Sequence, residues 1–357
     1  MSRFVGSIAA PVLALVVASC GATPMPSVRP SGDPDTPPPT IGASPTVGPT
    51  PSPIAILDGE PWIVYEWWLP DHEEQDIFLV RPDGTDAHPI LTEIPGAHRG
   101  PVWSPDGKRI AFVVQGEGGD VPYPGIWFAD ADGSNAGPIL TNARGCSYGV
   151  FWPSWAPDGK RVSITCYSPG GASLRILDLA TFESTLVYGV ASPEVLDSPA
   201  SWSPDGKRLA FDVLKWPETE QYSQGSLLAV ADLVTGEVSR ITTFSSYAAS
   251  PSWHPTKDLL VFTHYDMSSM KVVPDVAGLF TIAPNGSDLL PLALPPDTSV
   301  RLSGARWLPD GSRLISNLGH GNPVEWAEIV IVDAASGTWS SLPEFVVGSG
   351  GKLRPTP

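Results

Sequence analysis

Three histidines are the residues whose type and position could support metal or acid–base chemistry. His72 lies in the acidic run DHEE at 71–74, and His264 and His320 each stand near the end of an apolar run of strand type. Imidazole nitrogens and carboxylates bind divalent metals such as Zn²⁺, and imidazole transfers protons near neutral pH. We therefore keep His72, His264 and His320 as candidate metal ligands, although their spacing does not show that they meet.

Cys20 ends a segment typical of protein export. Arg3 precedes a mostly apolar run at 4–17, which is too short to span a bilayer as a helix. The closing residues Val-Ala-Ser-Cys resemble the lipobox of bacterial lipoproteins, which implies cleavage before Cys20 and a lipid on its sulfur. We predict a signal peptide at 1–19 and an exported chain anchored to the bacterial cell membrane through Cys20. An ordinary secretory signal with a chance cysteine is the alternative.

Residues 20–53 are expected to form a disordered tether. Eleven prolines fall between positions 24 and 53, with Thr, Ser and Gly in most of the gaps and almost no large apolar side chain. Such a segment cannot bury enough surface to offset the entropy lost on ordering. The folded domain is therefore predicted to occupy 54–357.

The other two cysteines, Cys146 and Cys166, lie in this domain. In an exported protein without a CxxC motif or clustered histidines, such a pair is typical of a disulfide rather than of a metal site. Closing the loop between them would stabilise the fold by roughly 3 kcal/mol in the chain-entropy model. We predict that this bridge pins a loop.

The formal net charge of −17 limits the classes of partner. An acidic surface repels phosphate backbones and anionic headgroups, so nucleic acid is excluded and membrane contact is expected only through the lipid anchor. We predict no cofactor and a monomeric chain.

A ten-residue motif that occurs five times provides the elements that must position these groups. WSPDGKRIAF at 103–112 returns as WSPDGKRLAF at 202–211 with one conservative change. The copies are about fifty residues apart, which is long enough for a four-stranded unit. They begin at Trp103, Trp155, Trp202, Trp253 and Trp307.

The motif has the chemistry of a tight turn. Proline sets φ at the second turn position, Asp tolerates the next position, and Gly can take the left-handed conformation that leads into the following strand. In the fourth copy Lys257 replaces the glycine, so that turn must differ in geometry. We assign a structural rather than a catalytic role to the turn aspartates, which are Asp106, Asp158, Asp205 and Asp310.

The strands around the turn predict an all-β, six-bladed β-propeller. Residues 110–114 and 259–262 are apolar at consecutive positions, which is typical of strands covered on both faces. A third strand and a short fourth strand follow each copy, and no stretch shows sustained helical periodicity. Four-stranded antiparallel sheets that cover one another form a propeller, and the motif tryptophans are expected in the cores between blades.

The two ends of the chain are predicted to close the ring. GKLRP at 351–355 aligns with ASWSP at 200–204, which puts Leu353 at the tryptophan position, so the last strand should pair beside residues 62–67. Closure of this kind leaves no long open edge. The alternative is that residues 54–57 fill the gap.

The W-S-P-D-G-K-R copies, each followed by a strand of the I-W-x-x-D-A-D-G type, resemble the WD-like repeats of TolB-like β-propellers. The resemblance covers residues 58–355 and implies the fold. TolB carries a separate α/β domain before its propeller, whereas here the tether is expected to lead straight into the first blade. The resemblance therefore does not carry over a role in the Tol system.

Function is expected where the copies differ, in the connections from the second to the third strand and between blades. Exposed aromatic residues interleaved with acids suit recognition of a protein, peptide or glycan. The alternative is that each aromatic packs its own loop onto the blade. The candidate binding residues are Trp67, Trp68, Tyr123, Trp216, Tyr222 and Trp326.

The sequence predicts a non-catalytic binding module. It has no G-x-S-x-G nucleophile elbow and no Asp box, and Thr141 stands where a calcium loop beginning at Asp130 would need Glu. One alternative is a metal-dependent carbohydrate lyase or hydrolase that uses His72, His264 and His320. Another is a sensor that holds small envelope ligands in its central channel.

Overall fold

The computed structural model describes residues 60–68, 75–116, 124–140, 146–215, 225–266, 278–295, 300–320, 326–342 and 349–355. Within these residues the regular secondary structure consists of β-strands, and no helix is present. The predicted signal peptide, the tether, Cys20 and the alternative closing segment 54–57 lie outside them.

The strands are short, and they follow one another at the intervals that the repeat predicts. In chain order they are β1 Ile63–Trp68, β2 Gln75–Val80, β3 His88–Ile90, β4 Ala97–Trp103, β5 Arg109–Gln115, β6 Gly125–Asp130, β7 Gly137–Leu140, β8 Val150–Trp155, β9 Arg161–Ser168, β10 Gly171–Asp178, β11 Ser184–Val190, β12 Glu194–Val195, β13 Ser201–Trp202, β14 Arg208–Lys215, β15 Ser226–Asp232, β16 Val238–Arg240, β17 Ser246–Trp253, β18 Leu260–Asp266, β19 Gly278–Ile282, β20 Leu290–Ala293, β21 Val300–Trp307, β22 Arg313–His320, β23 Trp326–Asp333, β24 Trp339–Ser341 and β25 Ser349–Leu353.

Over the described residues these strands form six antiparallel sheets, which are the blades of a propeller. Blade 1 has the order β25-β1-β2-β3, and blades 2, 3, 5 and 6 are β4–β7, β8–β11, β17–β20 and β21–β24. In blade 4 the inner strand is divided into β12 and β13, which both pair with β14. The prediction of six four-stranded blades is confirmed. We letter the strands of each blade A to D from the axis outward.

The ring closes through the C-terminal strand, as predicted. β25 pairs antiparallel with β1, and Leu353 lies opposite Ile63 just as Trp103 lies opposite Ile110 in blade 2. Strand A of blade 1 is therefore the last described strand and strands B to D are the first three, so the two ends of the described chain meet in one sheet.

The A-to-B turns follow the chemistry of the motif. Gly107 and Gly206 have φ of +66° and +67°, a conformation in which a β-carbon is unfavourable. In the third copy the Ser203 hydroxyl donates to Asp205, which also accepts the N–H of Lys207 at 3.1 Å. The turn aspartate is thus occupied by hydrogen bonds inside its own motif.

The arginine of one motif lies over the tryptophan of the next blade. The five motif tryptophans stand in the apolar clusters between consecutive blades, four of them buried and Trp307 half-buried. The arginine contact occurs with Arg109 over Trp155, Arg161 over Trp202 and Arg208 over Trp253, with 4.6 to 5.1 Å from the guanidinium carbon to the ring centre. Each such cation–π contact contributes on the order of 0.5–1 kcal/mol. The repeated tryptophan and arginine of the motif therefore hold neighbouring blades together.

The fourth copy, which lacks the motif arginine, uses His254 instead. Its ring lies 4.6 Å from that of Trp307, its Nδ1 accepts the N–H groups of Thr256 and Lys257 at 3.1 and 3.0 Å, and its Nε2 donates to the carbonyl of Gly311 at 3.1 Å. Burial lowers the pKa of His254 because it disfavours the charged ring. One neutral imidazole thus shapes the turn that lacks glycine and holds the next blade.

Candidate binding face and central channel

Strand direction gives the propeller two unlike faces. The A-to-B and C-to-D turns lie on one face, which we call the turn face. The A strands begin and the B strands end at the opposite face, which carries the B-to-C and D-to-A connections and is called the variable face. Of the predicted binding residues, Trp67 and Trp68 lie at the end of β1 and Trp326 at the start of β23, which is the variable-face end of these strands. His72, Tyr123, Trp216 and Tyr222 lie outside the described residues, as do the side chains of Trp68 and Trp326.

Trp67 is half-buried at the end of β1. Its ring packs edge-on against Phe78 with 4.5 Å between ring centres, beside the apolar cluster between blades 6 and 1. Much of this indole therefore serves packing of its own blade, which is what the loop-packing alternative expects for this residue.

His264 and His320 are each engaged within their own blade. His264 Nδ1 lies 3.2 Å from the carbonyl oxygen of Tyr247, and its ring meets Phe280 edge-on. His320 Nε2 lies 2.8 Å from the carboxylate of Glu328. Among the described residues, no three His, Cys, Asp or Glu side chains lie close enough to share a metal ion. A metal site that includes His72 stays a prediction.

Five other aromatic residues lie near the channel opening on the variable face, and we call them the aromatic rim. Tyr247 and Tyr265 stack with 4.4 Å between ring centres, and Phe151 and Tyr167 meet edge-on at 5.4 Å. Tyr148 is 43% exposed. Sequence reasoning missed these residues because it looked at long connections. Four of the five lie near the beginning of an A strand or the end of a B strand, and Tyr148 lies in the connection that leads into β8.

Two aspartates lie close together in the wall of blade 4. Asp212 is buried, accepts the Ser198 hydroxyl and lies 3.4 Å from the N–H of Ser250. Burial raises the pKa of Asp212, and these hydrogen bonds and the charge of Arg306 oppose the rise. Asp197 is solvent-accessible, yet desolvation by the surrounding protein and the charge of Asp212 raise its pKa to about 7.

Asp212 belongs to a set of B-strand positions that serve bulges in the next blade. The inner strands carry a β-bulge at which one residue takes a positive φ, and the N–H of that residue points at the B strand of the preceding blade. The pairs are Glu66 with Gly100, Asp212 with Ser250 and Thr263 with Gly304. The sequence contained a signal for this residue. Asp212 follows Trp202 by the same number of residues as Val113 follows Trp103, so a carboxyl stands where the equivalent position of blade 2 has an apolar side chain.

Below the bulges, one residue from each blade lines a cavity on the axis. Each is the residue before a motif tryptophan or before its equivalent Leu353, so the repeat alignment identifies the set. The cavity has a volume of about 190 Å³. We call these six residues the axial ring: Val102, Ser154, Ser201, Ser252, Arg306 and Lys352.

Cys146 and Cys166 lie at disulfide-bonding distance, with 2.02 Å between their sulfur atoms. Cys166 is near the end of β9, and Cys146 lies in the connection that leads into β8. The bond therefore ties the incoming connection of blade 3 to strand B close to Tyr148, a member of the aromatic rim.

Comparisons with known proteins agree with this architecture. A family model described as the TolB beta propeller domain matches residues 109–272. The Tol-Pal system protein TolB of Francisella tularensis subsp. holarctica (strain OSU18) is 31% identical over 90 residues, which are 25% of this chain and 19% of that protein. This chain therefore covers less than a fifth of the length of that relative.

Solved structures show the same fold at low identity. TolB from Acinetobacter baumannii aligns with a TM-score of 0.61 and 20% identity, covering 84% of this chain and 66% of that one. A putative TolB from Agrobacterium tumefaciens gives 0.56 and 15%, covering 82% and 97%. In the part of the chain that the structure describes, we find no helix with the length and hydropathy of a membrane span.

Proposed function

Because the chain is a TolB-like β-propeller, we propose that it is a binding module of the bacterial envelope. It is exported, anchored by a lipid on Cys20, and binds a partner protein through the variable face without performing chemistry. The tether at 20–53 sets the distance between the propeller and the membrane.

The aromatic rim is the observation that carries this proposal. The buried motif tryptophans are at most 7% exposed, because they fill the cores between blades, whereas Tyr148 is 43% exposed and lies outside the motif. Exposed tyrosines offer large contact area at little cost in side-chain entropy and are enriched where proteins bind one another. The Tyr247–Tyr265 stack and the nearby disulfide hold parts of this surface in place before a partner arrives.

On the turn face the described motif aspartates are already occupied by hydrogen bonds, and the exposed apolar side chains there, such as Phe182 and Val234, stand in separate C-to-D turns. Four aspartates that recur at one position of the motif could be mistaken for catalytic acids. Each of them, however, accepts hydrogen bonds inside its own turn. The relatives are named for the Tol-Pal system. From that name we take only a role in association with envelope proteins, and no particular partner.

Site-specific cross-linking in the native envelope tests the proposal. A photo-reactive phenylalanine analogue is placed at position 148 of the full-length chain, and at position 182 as the control. Phe182 is an aromatic of similar exposure, 53%, in a C-to-D turn on the turn face. We expect a discrete protein adduct from position 148 and none of the same mass from position 182.

The nature of the adduct decides the outcome. A band that protease removes supports a protein partner, and its loss after Tyr247→Ala, with the fold checked by thermal unfolding, assigns it to the rim. An adduct that is resistant to protease and sensitive to glycosidase would replace the protein with a glycan. Equal adducts from the two positions would refute a binding face.

A further inference from the structure

The axial ring is unusual in the groups that it presents. In a chain with a net charge of −17, two of its six members are cationic, three are serines and one is valine. Among the described residues no carboxylate lines the cavity, and neither Arg306 nor Lys352 forms an ion pair. Two cations without an ion-pair partner among the described residues therefore face a common cavity on the axis of an acidic protein.

Both cations keep hydrogens that the fold does not use. Lys352 Nζ donates to the carbonyl of Pro101 at 2.8 Å, and Arg306 Nη1 donates to the carbonyls of Ser250 and Ala305 at 3.0 Å each. The remaining ammonium hydrogens, and those on Nε and Nη2 of Arg306, have no acceptor among the described residues. A guanidinium and an ammonium contain no acceptor atoms, so these positions can only donate.

The serines of the ring are also donors. Ser201 Oγ accepts the N–H of Trp253 at 2.9 Å, and Ser252 Oγ accepts that of Trp307 at 3.3 Å. Each hydroxyl then still has its own hydrogen to donate. Ser154 Oγ makes no hydrogen bond within the described residues. Spare donors therefore surround the axis from five of the six blades, and only Val102 in blade 2 contributes none.

We propose that the axial ring is a binding site for a phosphate group. A planar carboxylate has oxygens in one plane, whereas donors placed around an axis match oxygens that point in several directions. The cavity, at about 190 Å³, is several times the roughly 30 Å³ that one water occupies, so a phosphate and some water fit. Inorganic phosphate and the phosphoryl group of a monoester share the chemistry that the ring would recognise.

The electrostatics of the ring favour an anionic occupant. Burial and the charge of Arg306 lower the pKa of Lys352 to about 7, against the opposing effect of Glu66, and burial lowers the pKa of Arg306 to about 10. Glu66 and Asp212 lie one layer nearer the variable face and have their own hydrogen-bond donors there. A bound dianion would stabilise both cations, so it would raise the pKa of Lys352.

Calorimetric titration of the full-length chain tests the site, in a buffer free of phosphate and sulfate. The probes are inorganic phosphate, glycerol phosphate and acetate. We expect one saturable site for phosphate or for glycerol phosphate, and the tighter of the two identifies the source of the group. Lys352→Met should weaken binding at least about tenfold, because it removes a charged hydrogen bond.

Two further variants keep the result interpretable. Ser154→Ala removes a hydroxyl that the fold does not use, so it should fold normally and weaken phosphate binding about threefold. Lys207→Met removes an exposed cation on the turn face and should leave binding unchanged. No saturable binding by wild type, an equal loss in Lys207→Met, or tighter binding of acetate than of phosphate would overturn the proposal.

Sulfate gives a second readout because its charge is constant near neutral pH. Binding that depends on Lys352 should weaken as the pH rises through about 7. The slope should become smaller in Lys352→Met, where only the titration of Asp197, whose pKa is also about 7, contributes to it. Sulfate binding with the same pH dependence in that variant would contradict the assignment.

Discussion

Aspartates of the turn face and carboxyls of the channel wall are shifted in opposite directions. The hydroxyl of Ser203 and the N–H of Lys207 lower the pKa of Asp205, and Arg313 lowers that of Asp310 to about 2. In the channel, burial raises the pKa of Glu66 and Asp212, and desolvation together with the charge of Asp212 raises that of Asp197 to about 7. The same functional group is held charged on the one face and pushed toward neutrality on the axis.

The difference comes from how each group is supplied with hydrogen-bond donors. A turn aspartate has a donor within its own motif, because each of the four described turn aspartates accepts the backbone N–H of the residue two positions on. A channel carboxyl depends on donors from elsewhere, such as the N–H of Ser250 in blade 5 for Asp212 in blade 4. The repeated motif therefore keeps its aspartates charged on the turn face. In the channel, the pKa of a carboxyl depends on which donors the neighbouring blade supplies, so it can differ from blade to blade.

The largest expected effect comes from removing a channel carboxyl. Asp212→Ala should lower the free energy of unfolding by about 3 kcal/mol, because the Ser198 hydroxyl and the Ser250 N–H lose their acceptor inside the protein. Urea unfolding of the full-length chain at neutral pH measures it.

Asp212→Asn is the matched control for that variant. Its amide oxygen still accepts the two hydrogen bonds and it carries no charge, so it should stay within about 1 kcal/mol of wild type. If the Ala variant were as stable as wild type, the carboxyl would not be satisfying buried donors, and the contrast between the two regions would fail.

A smaller effect is expected on the turn face. Asp205→Ala removes an exposed turn acceptor and should cost about 1 kcal/mol at neutral pH. The folded pKa of Asp205 lies below the unfolded value of 3.8, so its stabilisation is present above 3.8 and is lost as the pH falls through the folded pKa. Thermal unfolding should therefore show wild type and variant converging in acid, and a constant gap would contradict the assignment.

The sequence carried most of the fold because the motif is local. The Trp, Pro-Asp-Gly and Arg positions define the turn, the strands around it and the contact with the next blade, and Leu353 at the tryptophan position predicted the closing strand. It could not show that His254 would take over the contact of the missing arginine, since this requires Trp307 and Gly311 to lie beside it in space.

The site was less predictable for a physical reason. Sequence patterns identify loops that vary, but most of the groups at the channel opening lie on regular strands, and their properties depend on neighbours in other blades. Asp212 looks like one polar residue in an apolar strand, and only its position beside the bulge of Ser250 explains it. The axial ring could have been found, because one fixed position before each motif tryptophan supplies it.

Asp197→Asn should have the smallest effect, and it tests the sign of the channel shift. The folded pKa of about 7 lies above the unfolded value of 3.8, so the stabilisation from Asp197 is fully present below 3.8 and is lost as the pH rises through about 7. An amide at this position does not titrate. The melting temperature of wild type should therefore fall relative to that of the variant between mildly acidic and mildly alkaline pH. The expected fall is only roughly 1 °C, because solvent screens this accessible group. Asp205→Asn is the control, since its own titration lies in the acid range and should give no change over that interval. A wild type that instead gains stability over the same interval would mean that the Asp197 carboxylate is held charged, as on the turn face, and the two regions would then follow one rule.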